Sequence, residues 1–134
     1  MSAKKLIYIS SPYTAKHGYE EQFNANHVRK YASALAHKDM IPVSAVLVGD
    51  GMPDRADLPE QYWIDLSKQL VGKCNEVHVL VLPGVMQSKG VQAEINEARQ
   101  RGIKVIYVNG FGEPYEEIKR GETPRWDKSI KLVA

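Results

Sequence analysis

One segment of this sequence combines hydroxyl, glycine and carboxylate residues in a spacing that could support chemistry on a sugar. Residues 88–94, with the sequence SKGVQAE, lie where a predicted helix begins. Free backbone N–H groups and the positive end of the helix dipole favour an anion beside Ser88 and Gly90. Glu94 falls about one turn inside, where the dipole helps to keep a carboxylate ionised by roughly 0.3–1 kcal/mol. Such a carboxylate can attack an anomeric carbon, although Glu is also a common surface residue there.

The second candidate segment is the loop that follows the first predicted strand. It begins with Ser10, Ser11, Pro12 and Tyr13 and extends to Gly18. The usual phosphate-binding patterns, G-x-G-x-x-G and G-x-x-x-x-G-K-[ST], are both missing from the sequence, which disfavours a dinucleotide oxidoreductase or a P-loop NTPase. Leucine, proline and glycine stand at 82–84, where a phospho-acceptor protein would carry an aspartate.

The elements that must position these residues alternate along the chain. Apolar runs predict strands at 6–9, 40–43, 77–82 and 105–108, and helical spacing predicts helices at 20–37, from 58 to 74, and after the loop 83–90 to about 101. This order predicts an α/β fold: a three-layer Rossmann-like (flavodoxin-like) parallel sheet of four to five strands with helices on both faces. Pro42 suggests an edge strand, and Gly102 suits a helix C-terminus. Ligands of such sheets bind at the carboxyl ends of the strands, which selects loops 10–18 and 83–90.

Bulk properties narrow the class further. A length of 134 residues indicates one domain over residues 1–134. The formal charge is only +2 and the basic residues are scattered, so a nucleic-acid polymer is not indicated as a partner. Cys74 stands alone, so an intrachain disulfide is excluded. The apolar runs are too short for a membrane span or a secretory signal, so we expect a cytoplasmic protein without a membrane partner.

Several short motifs resemble the nucleoside 2-deoxyribosyltransferase superfamily. They are the opening IYISSPY at 7–13, the S-x-G-V-x-x-E pattern at 88–94, and Ala98 one turn later. The second pattern is similar to the 2′-deoxynucleoside 5′-monophosphate N-glycosidases. The Ser-Pro-Tyr opening, Trp63 followed by Asp65, and LPG at 82–84 also look like an uncharacterised bacterial and phage family grouped with them. The resemblance spans residues 6 to 108.

The resemblance implies roles for particular residues. Glu94 would attack C1′ of the sugar, and the hydroxyl of Tyr8 would orient that carboxylate, although a core tyrosine would explain Tyr8 equally well. Ser88 stands where the nucleoside transferases carry an aspartate and the monophosphate glycosidases a serine. A hydroxyl beside a helix N-terminus can donate to a phosphate that a carboxylate would repel, so we expect a nucleoside monophosphate as substrate. Loop residues Ser10, Ser11, Pro12 and Tyr13, with Ser88 and Gly90, would bind it.

Two positions fit the resemblance less closely. Asp65 would assist the departing base by hydrogen bonding and protonation, but an exposed helix carboxylate needs no such explanation. The monophosphate glycosidases carry a phosphate-contacting arginine in the loop after the first strand, where this sequence has Thr14. Lys16 or Lys89 could supply a point charge instead. The phosphate requirement therefore stays open.

The predicted reaction cleaves an N-glycosidic bond in two steps through a covalent glycosyl-glutamate, and water or a second base then accepts the sugar. This chemistry requires neither a metal nor an organic cofactor, and the two carboxylates would lie about 5–5.5 Å apart by analogy with retaining glycosidases. By resemblance we expect a homo-oligomer, a dimer or a tetramer. The alternatives are a nucleoside 2-deoxyribosyltransferase and a non-catalytic module that binds or senses a nucleotide.

Overall fold

The computed structural model describes residues 3–12, 18–109 and 114–115. In chain order the elements are β1 (Leu6–Ser10), α1 (Gly18–His37), β2 (Ile41–Val43), α2 (Ala45–Gly49), α3 (Glu60–Val71), β3 (Glu76–Leu80), α4 (Lys89–Gln100), β4 (Lys104–Val108) and β5 (Pro114–Tyr115). Short 3₁₀ turns occupy Arg55–Asp57 and Val85–Gln87. None of the described helices is long and apolar enough to cross a membrane.

The five strands form one sheet in the order β2-β1-β3-β4-β5. The first four run parallel, and β5 pairs antiparallel with β4. The chain moves from β1 to β2 on one side and then returns to place β3 on the other side of β1. In sheets of this kind that reversal opens a crevice at the carboxyl ends of the two strands. The predicted α/β fold is confirmed, and β2, which contains Pro42, is the edge strand that the sequence indicates.

Apolar side chains cover both faces of the sheet. One core joins Val77, Val79 and Tyr107 to residues of α3 and α4, and the other joins Ile7, Ile9 and Leu80 to α1. Successive side chains of a strand point to opposite faces. Ile7 and Ile9 therefore pack toward α1, whereas Tyr8 belongs to the core shared with α3 and α4. Ser10 has the same parity as Tyr8, so both hydroxyls lie on the α4 side of the sheet.

The observed elements depart from the predicted ones in three places. The third strand covers Glu76–Leu80 rather than 77–82, although Val81 and Leu82 are buried as expected. The sequence did not predict α2, because five residues cannot display helical periodicity; Ser44 caps it by accepting from the N–H groups of Val46 and Leu47. Beyond Asn109 the sequence predicts a short helix and an extended tail; apart from the two-residue β5, this part of the chain lies outside the described residues.

Candidate active site

The side chain of Glu94 is buried between α4 and the sheet. Only 6% of the residue is exposed. The hydroxyl of Tyr8 donates to Oε2 of Glu94 at 2.7 Å, and the hydroxyl of Ser10 donates to Oε1 at 2.5 Å. The two donors occupy alternate positions of β1, so one strand provides a hydrogen bond to each oxygen of the carboxylate. Charge-assisted O–H···O⁻ bonds have this length, and they fix a carboxylate in one orientation.

A backbone contact sets the direction of the Tyr8 hydroxyl proton. The N–H of Ala45, at the start of α2, donates to the Tyr8 oxygen at 3.2 Å. An amide N–H cannot accept a hydrogen bond, so the Tyr8 oxygen accepts from Ala45 and its own proton is left for Glu94. Burial and the neighbouring Glu94 charge raise the pKa of Tyr8 well above its usual value, and Tyr8 therefore stays a neutral donor.

Burial and hydrogen bonding act in opposite directions on Glu94. Burial raises the pKa of the carboxyl to about 7, whereas the hydrogen bonds from Ser10 and Tyr8 lower it, with a smaller effect from the nearby Ser67 hydroxyl. The burial effect is the larger of the two. Protonated and ionised forms of Glu94 are therefore both populated near neutral pH. A desolvated carboxylate of this kind is a stronger base and nucleophile than one in water.

Helix α4 places Glu94 by its periodicity. Val91, Glu94, Ile95 and Ala98 are its buried residues, at the i, i+3, i+4, i+7 spacing of a core-facing stripe. Glu94 thus occupies a position that an apolar residue would normally fill. Ser88 caps the helix by accepting from the N–H of Val91 at 3.2 Å. A charged residue in the buried stripe of α4 indicates a special role for Glu94. The spacing between Ser88 and Glu94 alone does not indicate such a role.

A cavity of about 1030 Å³ adjoins this carboxylate. It lies beyond the carboxyl ends of β1 and β3, where the sequence placed it, and its volume suits a ligand the size of a nucleotide. Its wall is built by the loop after β1, by α1, α2 and α3, and by the loop that leads into α4. The residues that line the cavity include Ser11, Pro12, Asn24, Arg55, Trp63, Ser67, Ser88, Gly90 and Glu94.

Apart from Asp65, the predicted site residues fall into three groups. Ser11, Pro12, Ser88, Gly90 and Glu94 line the cavity. Tyr8 and Ser10 are fully buried beneath Glu94 and hold its carboxylate. Tyr13 lies outside the described residues.

The structure does not bring Asp65 to the cavity, which argues against its predicted role. Asp65 is exposed on α3 and accepts a hydrogen bond from Nε2 of Gln61 at 2.8 Å. The cavity face of α3 carries Glu60, Trp63, Ile64 and Ser67, at helical i, i+3, i+4, i+7 spacing. Position 65 falls off that stripe. The rotational phase of the helix, which a sequence motif does not fix, is the reason for the disagreement.

Sequence reasoning missed Ser67 and Asn24. Ser67 is buried on α3, lines the cavity, donates to the carbonyl of Ile64 at 2.9 Å and lowers the pKa of Glu94. Asn24 is buried on α1 in register with Val28, Tyr31 and Leu35. Each of the two residues is a polar residue within an otherwise apolar stripe of its helix, and this feature of the sequence could have identified both as candidate site residues.

Two cations line the cavity, and each has a carboxylate near it. Arg55 lies 3.5 Å from Glu21, and Lys89 lies 4.0 Å from Glu60. Arg55 comes from the loop between α2 and α3, which the sequence did not connect with the site. The planar guanidinium of Arg55 can bind an oxyanion through two parallel donors, whereas a lysine ammonium acts as a point charge. The described residues contain no group of three or more His, Cys, Asp or Glu that could hold a metal ion.

Comparison with known proteins supports the architecture. The family model described as Domain of unknown function (DUF7768) matches residues 5–108. No curated protein sequence matches the chain. The solved 2-desoxiribosyltransferase from Leishmania mexicana aligns with a TM-score of 0.55 at 16% identity over 78% of this chain. The chain spans 64% of that protein.

A second solved structure is similar over more of the chain. The Clostridium botulinum CMP N-glycosidase, BcmB, aligns with a TM-score of 0.51 at 15% identity, covering 95% of this chain and 80% of that one. At these identities the likeness establishes a shared fold. The resemblance predicted from the motifs is thus confirmed at the level of architecture.

Proposed function

This chain belongs to the family described as Domain of unknown function (DUF7768), and for it we propose cleavage of the N-glycosidic bond of a (deoxy)nucleoside 5′-monophosphate. One observation carries the proposal: a buried glutamate, gripped by two hydroxyls, borders a nucleotide-sized cavity at the topological switch point. Among the described residues no cation is paired with Glu94. A buried carboxylate in that situation is costly, and such groups are concentrated at functional sites. The reaction that uses it best is nucleophilic attack at C1′.

In the first step an oxygen of the ionised Glu94 forms a bond to C1′ of the sugar. The bond from C1′ to the base nitrogen breaks, and its electron pair leaves with the base. The hydroxyl protons of Tyr8 and Ser10 remain on their own oxygens and orient the carboxylate. Each oxygen of Glu94 has a second lone pair available for the attack after accepting one hydrogen bond.

In the second step water attacks C1′ of the glycosyl-glutamate. The bond from C1′ to the Glu94 oxygen breaks and the carboxylate is regenerated. The attacking water gives one proton to solvent, and the departed base takes one up from solvent. If a second base attacks instead of water, the sugar is transferred. With Asp65 outside the cavity, we assign no side chain of the described residues as the acid that protonates the departing base.

The N-terminus of α4 is the proposed site for the 5′-phosphate. The Ser88 oxygen accepts from the N–H of Val91, which leaves the Ser88 hydroxyl proton available for a phosphate oxygen. Gly90 brings no side chain to this end of the helix, and Arg55 and Lys89 supply positive charge at the cavity. The similarity to a CMP N-glycosidase favours a monophosphate, and the similarity to a 2-desoxiribosyltransferase favours sugar transfer as the second candidate.

An assay of base release tests the proposal. The full chain is incubated with the common nucleoside and 2′-deoxynucleoside 5′-monophosphates and with the free nucleosides, and free base is quantified. We expect release by the wild type and a loss of at least about 1000-fold in Glu94→Gln, since nucleophile removal typically costs this much or more. A transferase would exchange sugar only after a second base is added. Binding of a nucleotide without any release by the wild type would contradict catalysis and support a sensing module.

We also propose that the chain assembles as a homo-oligomer and works in the cytoplasm. Phe23, Val48 and Tyr62 are large apolar residues that are 44–46% exposed, one on each of the three helices that border the cavity. Exposed apolar residues beside a binding cleft favour association with another surface. A second copy covering this side would also help to exclude water from the cavity.

A further inference from the structure

Asn24 is a buried polar side chain for which the fold provides no partner. It is 6% exposed, and within the described part of the chain its amide group makes no hydrogen bond. The other buried polar side chains, among them Ser44, Ser67 and His78, are all hydrogen-bonded. Asn24 also lines the cavity next to Glu94. Its amide is therefore positioned to bind something that enters the cavity.

An unpaired amide at this position works against stability. Asn24 stands in the stripe of α1 that continues through Val28, Tyr31 and Leu35, where an apolar residue would pack without penalty. Burying an amide without a hydrogen bond costs free energy, and native proteins rarely leave such groups unsatisfied. A ligand that supplies both missing hydrogen bonds would explain why the residue is polar.

The layout of the cavity indicates which part of the ligand reaches Asn24. α3 and α4 pack against one face of the sheet and α1 packs against the other, so Asn24 on α1 lies across the cavity from Glu94 and Ser88. A sugar seated at Glu94 with its phosphate toward Ser88 would direct its base away from α4, toward the part of the cavity that Asn24 lines. The Trp63 ring packs so closely on Gly49 that a Cβ there would lie 3.0 Å from it. This packing holds an aromatic ring at the cavity, and aromatic rings stack on bases.

We infer that Asn24 recognises the nucleobase of the substrate, through a paired hydrogen bond to a base edge that presents a donor next to an acceptor. An asparagine side chain offers one donating and one accepting group, and it forms such paired bonds with bases in other proteins. A phosphate presents only acceptors and would leave the Asn24 carbonyl unsatisfied. This inference rests on the proposed function for the nucleotide as ligand and for the direction in which its base lies.

A binding experiment on Asn24→Leu tests the assignment. Calorimetric titration measures the affinity for 2′-deoxynucleoside 5′-monophosphates and for deoxyribose 5-phosphate, which lacks a base; the protein with and without Asn24→Leu carries Glu94→Gln, so that the nucleotides are not cleaved during the titration. We expect at least one nucleotide to lose about 10- to 100-fold in affinity in the variant, while the affinity for the sugar phosphate stays unchanged. Asn26→Leu is the matched control, because Asn26 is exposed two residues further along α1.

Thermal unfolding provides the second measurement. Asn24→Leu should raise the unfolding temperature, since it removes an unsatisfied buried amide from the folded state. Equal loss of affinity for nucleotide and sugar phosphate, or no loss at all, would overturn the inference. So would the failure of wild type to bind any nucleotide. If nucleotide affinity depends on Asn24 but the wild type releases no base, base recognition stands and only the catalytic proposal fails.

Discussion

The carboxyl of Glu94 illustrates how a fold can hold a reactive group between two protonation states. Desolvation raises its pKa to about 7, and the hydroxyls of Ser10 and Tyr8 keep the pKa from rising further. A nucleophile must be ionised, so the rate of glycosidic cleavage should increase with pH through the neutral range. The two hydroxyls thus act on the reaction through the charge state of Glu94 as well as through its orientation.

Tyr8→Phe isolates one of these hydrogen bonds. The variant loses a donor to the charged carboxylate, so the pKa of Glu94 should rise and the acidic limb of the pH–rate profile should move to higher pH. At pH 7 we expect a rate loss of about 10- to 100-fold, since hydrogen bonds to charged groups contribute roughly 1.5–3 kcal/mol. The pH dependence of kcat/KM is the measurement.

Tyr31→Phe is the matched control for this substitution. Its hydroxyl contacts Nδ1 of His78 at 2.6 Å, in a network remote from Glu94, and the profile should not shift. A Tyr8→Phe profile that coincides with that of the wild type would show that the Tyr8 hydroxyl does not influence the ionisation of Glu94.

Glu94→Gln should make the protein more stable at alkaline pH. The folded-state pKa of about 7 lies above the ordinary value of 4.5, so the folded protein binds this proton more tightly than the unfolded chain does. The corresponding stability is fully present below pH 4.5 and is lost as the pH rises through 7. The uncharged variant avoids this loss, which amounts to on the order of 3 kcal/mol.

Unfolding temperatures at pH 5 and pH 8.5 measure this effect. We expect the advantage of Glu94→Gln over wild type to be larger at the higher pH. Glu60→Gln is the control, because 69% of the Glu60 side chain is exposed. An advantage that is the same at both pH values, or a variant less stable than wild type at pH 8.5, would contradict the assigned ionisation of Glu94.

At the scale of elements, the N-terminus of α4 should bind the phosphate group. A Cβ added at Gly90 would meet only the hydroxyl oxygen of Ser88, at 3.8 Å. Gly90→Ala should therefore be tolerated and should stabilise the helix by about 0.5–1 kcal/mol. The same methyl group should hinder a phosphate at Ser88. We expect a lower affinity for nucleoside 5′-monophosphates and little change for the corresponding nucleosides.

Paired titrations of Gly90→Ala with a nucleotide and its nucleoside check this prediction. Equal affinity changes for the two ligands would contradict the assignment of the phosphate site to the N-terminus of α4. A loss of folding stability would instead show that Gly90 has a structural role that its surroundings do not reveal.

Helix α1 shows what the periodicity of a single element can and cannot establish. The sequence predicts a helix over 20–37, and the structure has one over Gly18–His37. Phe23 stands at helical spacing with the apolar residues of this segment, yet it is 46% exposed. Asn24 and Ala25 occupy the inner face instead. A stripe at 3.6-residue spacing is well defined near its middle and poorly defined at its ends, where one polar residue of functional importance shifts the apparent phase.

For the molecule as a whole, the alternation of strands and helices was sufficient to predict the sheet and the location of the cavity. Topology alone brings the loop after β1 next to the loop after β3, and it places Glu94 at that edge. The sequence could not show which side chains of α3 face the cavity, so it selected Asp65 where the structure presents Ser67. Arg55 was missed because its loop has no periodicity from which an orientation could be inferred.

For the whole molecule, we predict that copies of the chain associate. Sedimentation of the full chain should show a dimer or tetramer, and replacing the exposed Phe23, Val48 and Tyr62 by serine should shift it toward the monomer. Apolar surface is replaced by polar surface at three sites that are nearly half exposed. A wild-type chain that sediments as a monomer at micromolar concentration would contradict the proposed assembly.

The most direct test of the account is to trap the bond between Glu94 and C1′. The protein is quenched during reaction with a 2′-fluoro-2′-deoxynucleoside 5′-monophosphate that carries a good leaving base, because the fluorine disfavours the positive charge that develops at C1′ and slows the second step. Peptide mass spectrometry should then find the fluorinated sugar phosphate attached to Glu94 in the wild type and no adduct in Glu94→Gln. Release of base by both proteins, with Glu94 unmodified, would contradict the account.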